Sequence, residues 1–472
     1  MNLKKRIILG LAGVLLCPVV HAAEPEGYIF RLNPDGPPIE VVANDIQPLS
    51  ESEGVYRTED LSLVEELDEQ GALEYCVRDE MIELFGYEED LETLQSEPWS
   101  RAMLGADYAT EQGITGQGVR VGLIDSGLIG SFSDYSEAEI IPGTNYCVSA
   151  GSLRRNDTTD SFGHGTFVAS VLASNEVGLA PQVEIVPLKC FDGNQGDVSS
   201  VVSAIYEAVD VYHCDVINLS LGMTTENVAL RDAVTYASEQ GAILVGACGN
   251  LETGKTSTGD DPLYYPAAYD EVISVGSVDA KKTVAAHSIQ NPSVCVVAPG
   301  QQVRGLSYRT GKYVVGNGTS YAAPLVAATA ALALSVDPEL TAGEFQSLME
   351  QTAQDLGEPG RDNAYGCGLL NLGLLLAAMK EDSVSVIPSY YAGTLCLSSY
   401  QPAVENGVTW LARYEKTGKF FSLEALAVGE NVNNRALSAD APLVRVMTVD
   451  KDTYVPLCVV AAYGTTDFMG GN

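Results

Sequence analysis

Three short stretches of this chain bring together residue types that could open an amide or ester bond. Asp125-Ser126-Gly127 follows directly on the apolar run Val119 to Ile124. A carboxylate at the carboxyl end of a strand is well placed to orient an imidazole, although Asp is also a common turn residue there. Gly163-His164-Gly165-Thr166 leads into Phe167-Val168-Ala169-Ser170-Val171, and glycines on both sides let backbone crowd the imidazole without clash. The chain holds four histidines. His21 lies in the N-terminal apolar region, while His213 and His287 lack a glycine frame and read as ordinary polar residues. An imidazole titrates close to neutral pH, so His164 needs no special shift to act as a general base. Asn317-Gly318-Thr319-Ser320-Tyr321-Ala322-Ala323-Pro324 opens an Ala-rich helical stretch. Ser320 would sit at its N-terminus, where backbone N–H groups and the positive dipole end favour an anion forming on an attacked carbonyl. Ser and Thr are favoured there as plain N-caps too, but capping does not account for all three stretches. A carboxylate, an imidazole and a hydroxyl in this combination point to attack on a carbonyl with a general base at hand.

Such residues need a scaffold that brings distant segments together. Between 99 and 380 apolar strands alternate with helical stretches. Val119–Ile124, Val183–Leu188, Val216–Leu221, Ala242–Ala247 and Val272–Val275 read as strands, and Thr166–Ala173, Val198–Tyr212 and Asn227–Gln240 as helices. Near-continuous apolar strands of this kind predict a mainly parallel sheet buried on both faces, an α/β doubly wound three-layer sandwich. Active residues in such folds gather beyond the carboxyl ends of the strands. Residues 23–98 have a different texture, acidic and poor in Gly. A strand at Tyr28–Leu32, a helix at Glu59–Leu73 and a strand at Glu74–Leu84 make this a small α+β unit. In 381–472 the alternation of Val408–Tyr414 and of Leu443–Val449 predicts half-buried strands of a β-sandwich, with a hairpin turn at Lys416–Lys419.

The N-terminus points to export. Lys4, Lys5 and Arg6 precede the apolar run Ile7–Val20, and Val20-His21-Ala22 supplies the small residues of a cleavage site, so 1–22 reads as a signal peptide cut after Ala22 or Ala23. The run is too short to span a bilayer comfortably. Ser320–Val336 is apolar as well but reads as a buried core helix, so no stable membrane insertion is expected after the leader is removed. The protein is expected to be secreted or held at the cell surface, by bacterial export. Net charge is −37 over 472 residues, and residues 24–98 alone carry 22 acidic and 3 basic side chains. That balance disfavours binding to nucleic acid or an anionic membrane; its simplest role is solubility, and it would favour basic groups in a substrate. An exported chain permits disulfides among the ten cysteines, but a chain of this size does not need them. No CxxC pair occurs, which argues against a zinc cluster, and no pairing is assigned.

The strings VGLIDSGL, FGHGTFVA and GNGTSYAAP resemble the three signature blocks of the subtilisin-like serine proteases, in the order Asp, His, Ser that marks subtilisin. A fourth stretch, Val245-Gly246-Ala247-Cys248-Gly249-Asn250, is similar to the family's strand that ends in an oxyanion-hole asparagine. The resemblance covers roughly 97–380. It implies a serine endopeptidase with Asp125, His164 and Ser320 as catalytic residues and Asn250 in the oxyanion hole. It also implies that Ser220, Leu221, Gly222 and Gly249 bind substrate around the primary specificity pocket. No cofactor is implied. The short loop Ser174–Pro181 lacks the turn that houses calcium in many relatives, and scattered carboxylates leave only weaker calcium sites. Cys248 stands where a small Ala is usual, and Tyr321 and Leu325 replace the commoner Met and His beside the serine. The acidic segment occupies the place of the family's pro-domain, an intramolecular inhibitor and folding assistant, with Tyr75–Glu80 like its last strand. A self-inflicted cut is expected near Glu88–Ser100.

Other readings fare worse. An α/β-hydrolase needs Gly-x-Ser-x-Gly and another triad order, while Ser320 stands in Gly318-Thr319-Ser320-Tyr321-Ala322. A zinc metalloprotease of the His-Glu-x-x-His kind is excluded, because that motif is absent. The remaining alternative is a catalytically silent subtilisin-like module that binds at a surface, against which the intact triad and oxyanion positions argue.

Overall fold

In the computed structural model, the described residues are 27–36, 46–89, 99–147 and 152–379, together with the strands between 385 and 463. The leader expected at 1–22 and the turn expected at Lys416–Lys419 lie outside them.

Apolar runs in the middle of the chain form one eight-stranded sheet. From one edge the order is Val296–Pro299, Val272–Val278, Ile243–Ala247, Val216–Leu219, Arg120–Asp125 and Glu184–Lys189. The short pieces Glu139–Ile140 and Thr144–Asn145 lie on the far side of Glu184–Lys189. Every pairing is parallel. Both faces are covered. Helices His164–Ala173 and Thr319–Val336 pack on one side, Val198–Asp210 and Val228–Glu239 on the other. Strand residues divide between them as the two-residue period requires: Ile243 and Val245 join the first cluster, Leu244 the second. This is the α/β three-layer sandwich expected from the sequence. Thr319–Val336 is long and apolar enough to cross a membrane, yet it is almost wholly buried, as a core helix should be. Glu184–Lys189 lies on one side of Arg120–Asp125 and Val216–Leu219, later in the sequence, on the other, so the carboxyl end of Arg120–Asp125 opens on a topological switch point.

The expected strand Val216–Leu221 is interrupted at Ser220. Leu221–Gly222 leaves the central sheet to pair with Met81–Leu84. The sequence patterns gave no sign of helices Ala342–Thr352 and Leu372–Ala378 or of the strands Gln301–Leu306 and Tyr313–Asn317. Leu372–Ala378 is apolar all round and has no helical period to read.

The acidic N-terminal unit is α+β. Its antiparallel sheet runs Ile46–Ser50, Val55–Thr58, Tyr28–Leu32, Leu73–Arg78. The helix Leu61–Glu69 is capped by Asp60, whose carboxylate accepts from Ser62 and Leu63 N–H. Phe30 faces this helix with Val64 and Leu67, whereas its neighbour Ile29, with Leu49 and Val55, packs into the core of the large domain. The expected strand Glu74–Leu84 stops at Arg78 and restarts at Met81, because Asp79 and Glu80 turn to the ends of two helices. At the other end of the chain, seven strands form two antiparallel sheets. One of them, Ser385–Tyr391, lies against helices Trp99–Met103 and Leu372–Ala378.

Candidate active site

Asp125 ends its strand at the switch point and is fully buried. Its carboxylate oxygens lie 2.8 and 2.9 Å from His164 Nδ1. The close approach depends on Gly165: a Cβ there would lie 2.1 Å from Gly127 O and 3.0 Å from the Asp125 carboxylate. His164 begins its helix, and that helix start is fastened by Asp160. The Asp160 carboxylate accepts from the N–H groups of Phe162, Gly163 and Thr166 and from the hydroxyls of Ser126 and Thr166, at 2.7 to 3.0 Å. Ser126 Oγ in turn accepts from Gly165 N–H, so one carboxylate ties the Asp125 loop to the His164 helix. Nearby, the buried Lys189 donates to the carbonyls of Ser126 and Phe191 and pairs with Asp192. Burial pulls the His164 imidazole down, but Asp125 and the carbonyl of Phe85 together outweigh it and leave the group above its ordinary 6.5.

Ser320 is the second residue of Thr319–Val336 and is buried. Pro324 lies one turn on and has no N–H to offer the Ser320 carbonyl. Ser220 Oγ supplies the missing donor, at 2.9 Å. The Ser320 hydroxyl donates back to Ser220 O, 3.0 Å away. Asn250 lies across the crevice, its Oδ1 accepting from Thr319 N–H and Oγ1 at 3.1 and 3.0 Å. That fixes the amide with Nδ2 on the other side: a Cβ on Gly318 would lie 3.3 Å from this nitrogen and 3.1 Å from Phe85 O. The amide nitrogen and the Phe85 carbonyl therefore border the same small space.

Phe85 is the residue that sequence reasoning passed over. Met81–Leu84 lies as the central strand between Gln195–Asp197 and Leu221–Gly222, antiparallel to both. Phe85 N–H then donates to Ser220 O, 3.4 Å away. Its carbonyl accepts from His164 Nε2 at 3.1 Å, and Tyr87–Glu89 continues antiparallel along Tyr313–Asn317. The Phe85 ring is buried beside Gly222, where a Cβ would lie 2.8 Å from it, and meets the Tyr264 ring edge-on at 5.3 Å and 84°. A Cβ on Gly249 would strike that tyrosine at 2.7 Å. Ser220, Leu221, Gly222 and Gly249 thus come together around one threaded segment. No local pattern distinguished Phe85 and Gly86 in the sequence; the signal that could have found them is an apolar run ending in Phe-Gly just before the lead-in to the large domain.

The model of the Subtilase family matches residues 116–368. The chain belongs to that family. Subtilisin DY of Bacillus licheniformis is 36% identical over 284 residues, 59% of this chain and 98% of its own length. The thermostable alkaline protease of Halalkalibacterium halodurans is 29% identical over 362 residues, covering 75% of this chain and 93% of the relative. The minor extracellular protease Epr of Bacillus subtilis is 34% identical over 280 residues, 58% of this chain and 41% of that protein. The chain is accordingly a serine-type endopeptidase, a hydrolase of peptide bonds, and subtilases need no cofactor for catalysis.

Several neighbours of this subtilase's crevice have plain structural roles. Cys248 is buried, its thiol pushed up to about 12 by burial and turned toward the Ile289 carbonyl and the Ser288 hydroxyl. It packs as a compact core residue. Cysteines 76, 147, 190, 214, 248, 295 and 367 are unpaired thiols. His213 is held by Val209 O, and His287, lowered to about 4 by burial, lies against Ser277 Oγ. At the loop Ser174–Pro181, Gly178 N–H closes a tight turn on Ser174 O, and the Gly178 carbonyl accepts from the Arg101 guanidinium. Among the described residues no group of three or more His, Cys, Asp or Glu side chains could hold a metal ion.

Proposed function

We propose that this subtilase is an exported endopeptidase that hydrolyses peptide and protein substrates through Asp125, His164 and Ser320. Asp125 would fix the tautomer and orientation of His164, which takes the Ser320 proton as the hydroxyl attacks the scissile carbonyl. The Asn250 amide and the Ser320 backbone N–H would hold the oxyanion, and losing such an amide costs about 10²–10³ in turnover, the subtilisin value. His164 then gives its proton to the leaving amine. Water hydrolyses the acyl-enzyme by the reverse relay. Ser220, Leu221, Gly222 and Gly249 would bind the substrate backbone and its first side chain.

The single observation that carries this reading is His164 held between the Asp125 carboxylate and a backbone carbonyl threaded past Ser320. Residues 23–98 would act as the intramolecular inhibitor, 99–380 as the peptidase and 381–472 as an accessory β-sandwich. Export is supported by the leader pattern of 1–22 and by the extracellular relative named above. A fluorophosphonate probe applied to processed protein tests the central assignment. Labelling should map to Ser320 and vanish in Ser320→Ala while circular dichroism shows the fold intact. No labelling of well-folded, processed enzyme would favour the silent binding module instead.

A further inference from the structure

The chain that occupies the cleft meets different surroundings on the two sides of the Phe85–Gly86 bond. On the side before the bond, the pocket is closed by a ring. Tyr264 leans on Gly249 and presents its face or edge to whatever enters, and Phe85 meets it at nearly a right angle. Such edge-to-face pairs add to simple burial of the ring. On the side after the bond there is almost no room. Gly86 has φ +143°, and a Cβ on it would lie 2.9 Å from a Tyr321 ring carbon and 3.1 Å from the phenol oxygen. That ring cannot easily retreat. It is 1% exposed, it rests on Phe167 with ring centroids 4.2 Å apart, and a Cβ on Gly316 would lie 2.5 Å from its Cε2, so the Gly316 backbone crowds it too.

We infer that Phe85–Gly86 is the bond this enzyme cuts in its own chain, and that Tyr264 and Tyr321 make it select an aromatic residue before the cut and glycine after it. The inference rests on Ser320 being the nucleophile. In the step itself Ser320 Oγ bonds to the Phe85 carbonyl carbon as its proton passes to His164 Nε2. The bond to the Gly86 nitrogen breaks and that nitrogen takes the proton. Water then cleaves the ester, giving the Phe85 carboxyl group and restoring the Ser320 hydroxyl. The cut lies upstream of the range Glu88–Ser100 expected from the sequence, and it leaves residues from Gly86 onward with the enzyme. The acidic surface pointed to basic substrates, but the pocket itself holds an aromatic ring.

Full-length protein and synthetic peptides test this together. Early in processing, mass spectrometry should find a released segment ending at Phe85, and Gly86→Ala should slow its release at least about tenfold, as a crowded subsite does. Mature wild-type enzyme should cut a Phe-Gly peptide at least about tenfold faster than the matched Phe-Ala peptide, and faster than Leu-Gly. Tyr321→Ala should admit the Phe-Ala peptide and restore processing of the Gly86→Ala chain. The peptide comparison with wild-type enzyme stands even where that variant does not fold. A segment ending elsewhere, or equal rates on Phe-Gly and Phe-Ala from an enzyme whose Ser320 is labelled by fluorophosphonate, overturns the inference. Absence of both labelling and hydrolysis would instead overturn the nucleophile assignment.

Discussion

His164 is hydrogen bonded at both nitrogens, to a carboxylate on one side and to the Phe85 carbonyl on the other. Both partners are acceptors, so this arrangement favours the doubly protonated ring, and Asp160 adds a further negative charge nearby. A protonated imidazole cannot take the Ser320 proton, and the Ser320 hydroxyl meanwhile points at Ser220 O. Self-cleavage should therefore be slow below the ordinary imidazole value of 6.5 and rise as pH passes the raised value above it. Once the segment has left, its carbonyl no longer supports the charged form, so the acid limb of peptide hydrolysis should fall at lower pH than that of processing. Rates of processing and of peptide cleavage across pH 5 to 9, measured on one preparation, check this; coincident limbs would contradict it. The linkage has the matching sign. A histidine raised by folding stabilises the unprocessed chain below 6.5, and that contribution is lost as pH climbs through the raised value.

The elements that position these residues were legible in the sequence to unequal degrees. The buried strands that end at Asp125 and before Asn250, and the helices begun by His164 and Ser320, announce themselves as uninterrupted apolar runs beside glycine-rich turns. The fastening between elements does not, because it is made by contacts distant in sequence. No local pattern singles out Asp160 in the sequence. In the fold it accepts five hydrogen bonds that join the His164 helix to the Asp125 loop. Asp160→Ala would leave the Ser126 hydroxyl and the first N–H groups of that helix without their acceptor. A lost cap and lost charged hydrogen bonds together should cost at least about 2 kcal/mol. Urea denaturation would report this as a lower midpoint. Turnover should fall as well, since His164 loses its fixed position, and Asp160→Asn should lie between the two. The break of the predicted strand Glu74–Leu84 has the same origin: local pattern favours continuation, and distant helix ends draw Asp79 and Glu80 away.

At the scale of the whole molecule, a strongly acidic segment docks on a domain that is itself acidic, so net charge opposes their association. What holds them is local. Arg31 bridges Glu53 of its own unit to Asp232 on helix Val228–Glu239. Ile29, Leu49 and Val55 bury their side chains in the shared core. Asp79 does more than pair with Arg57. Helix Val198–Asp210 receives no side-chain bond from its own cap residue, Asp197. Its first orphan donors go to the segment instead: Val198 N–H to Glu80 O, and Ser199 N–H and Oγ to the buried Asp79 carboxylate at 3.0 and 2.7 Å. Asn227, the cap of the next helix, reaches the Glu80 carboxylate at 3.1 Å. The segment therefore completes two helices of the domain whose crevice it occupies, which would link the proposed inhibition to assistance in folding. After the proposed self-cleavage these contacts, with the strand pairing of Met81–Leu84 and the seating of the Phe85 ring, would retain it. Replacing Asp79 with Ala removes a buried carboxylate with charge-assisted bonds, a loss of about 1.5–3 kcal/mol, or roughly ten- to a hundredfold in affinity. The processed Asp79→Ala protein should thus show peptide hydrolysis at dilutions where processed wild type is still inhibited, while the mature enzyme, which no longer contains residue 79, keeps an unchanged turnover number. Equal inhibition of the two would mean that the remaining contacts retain the segment without Asp79.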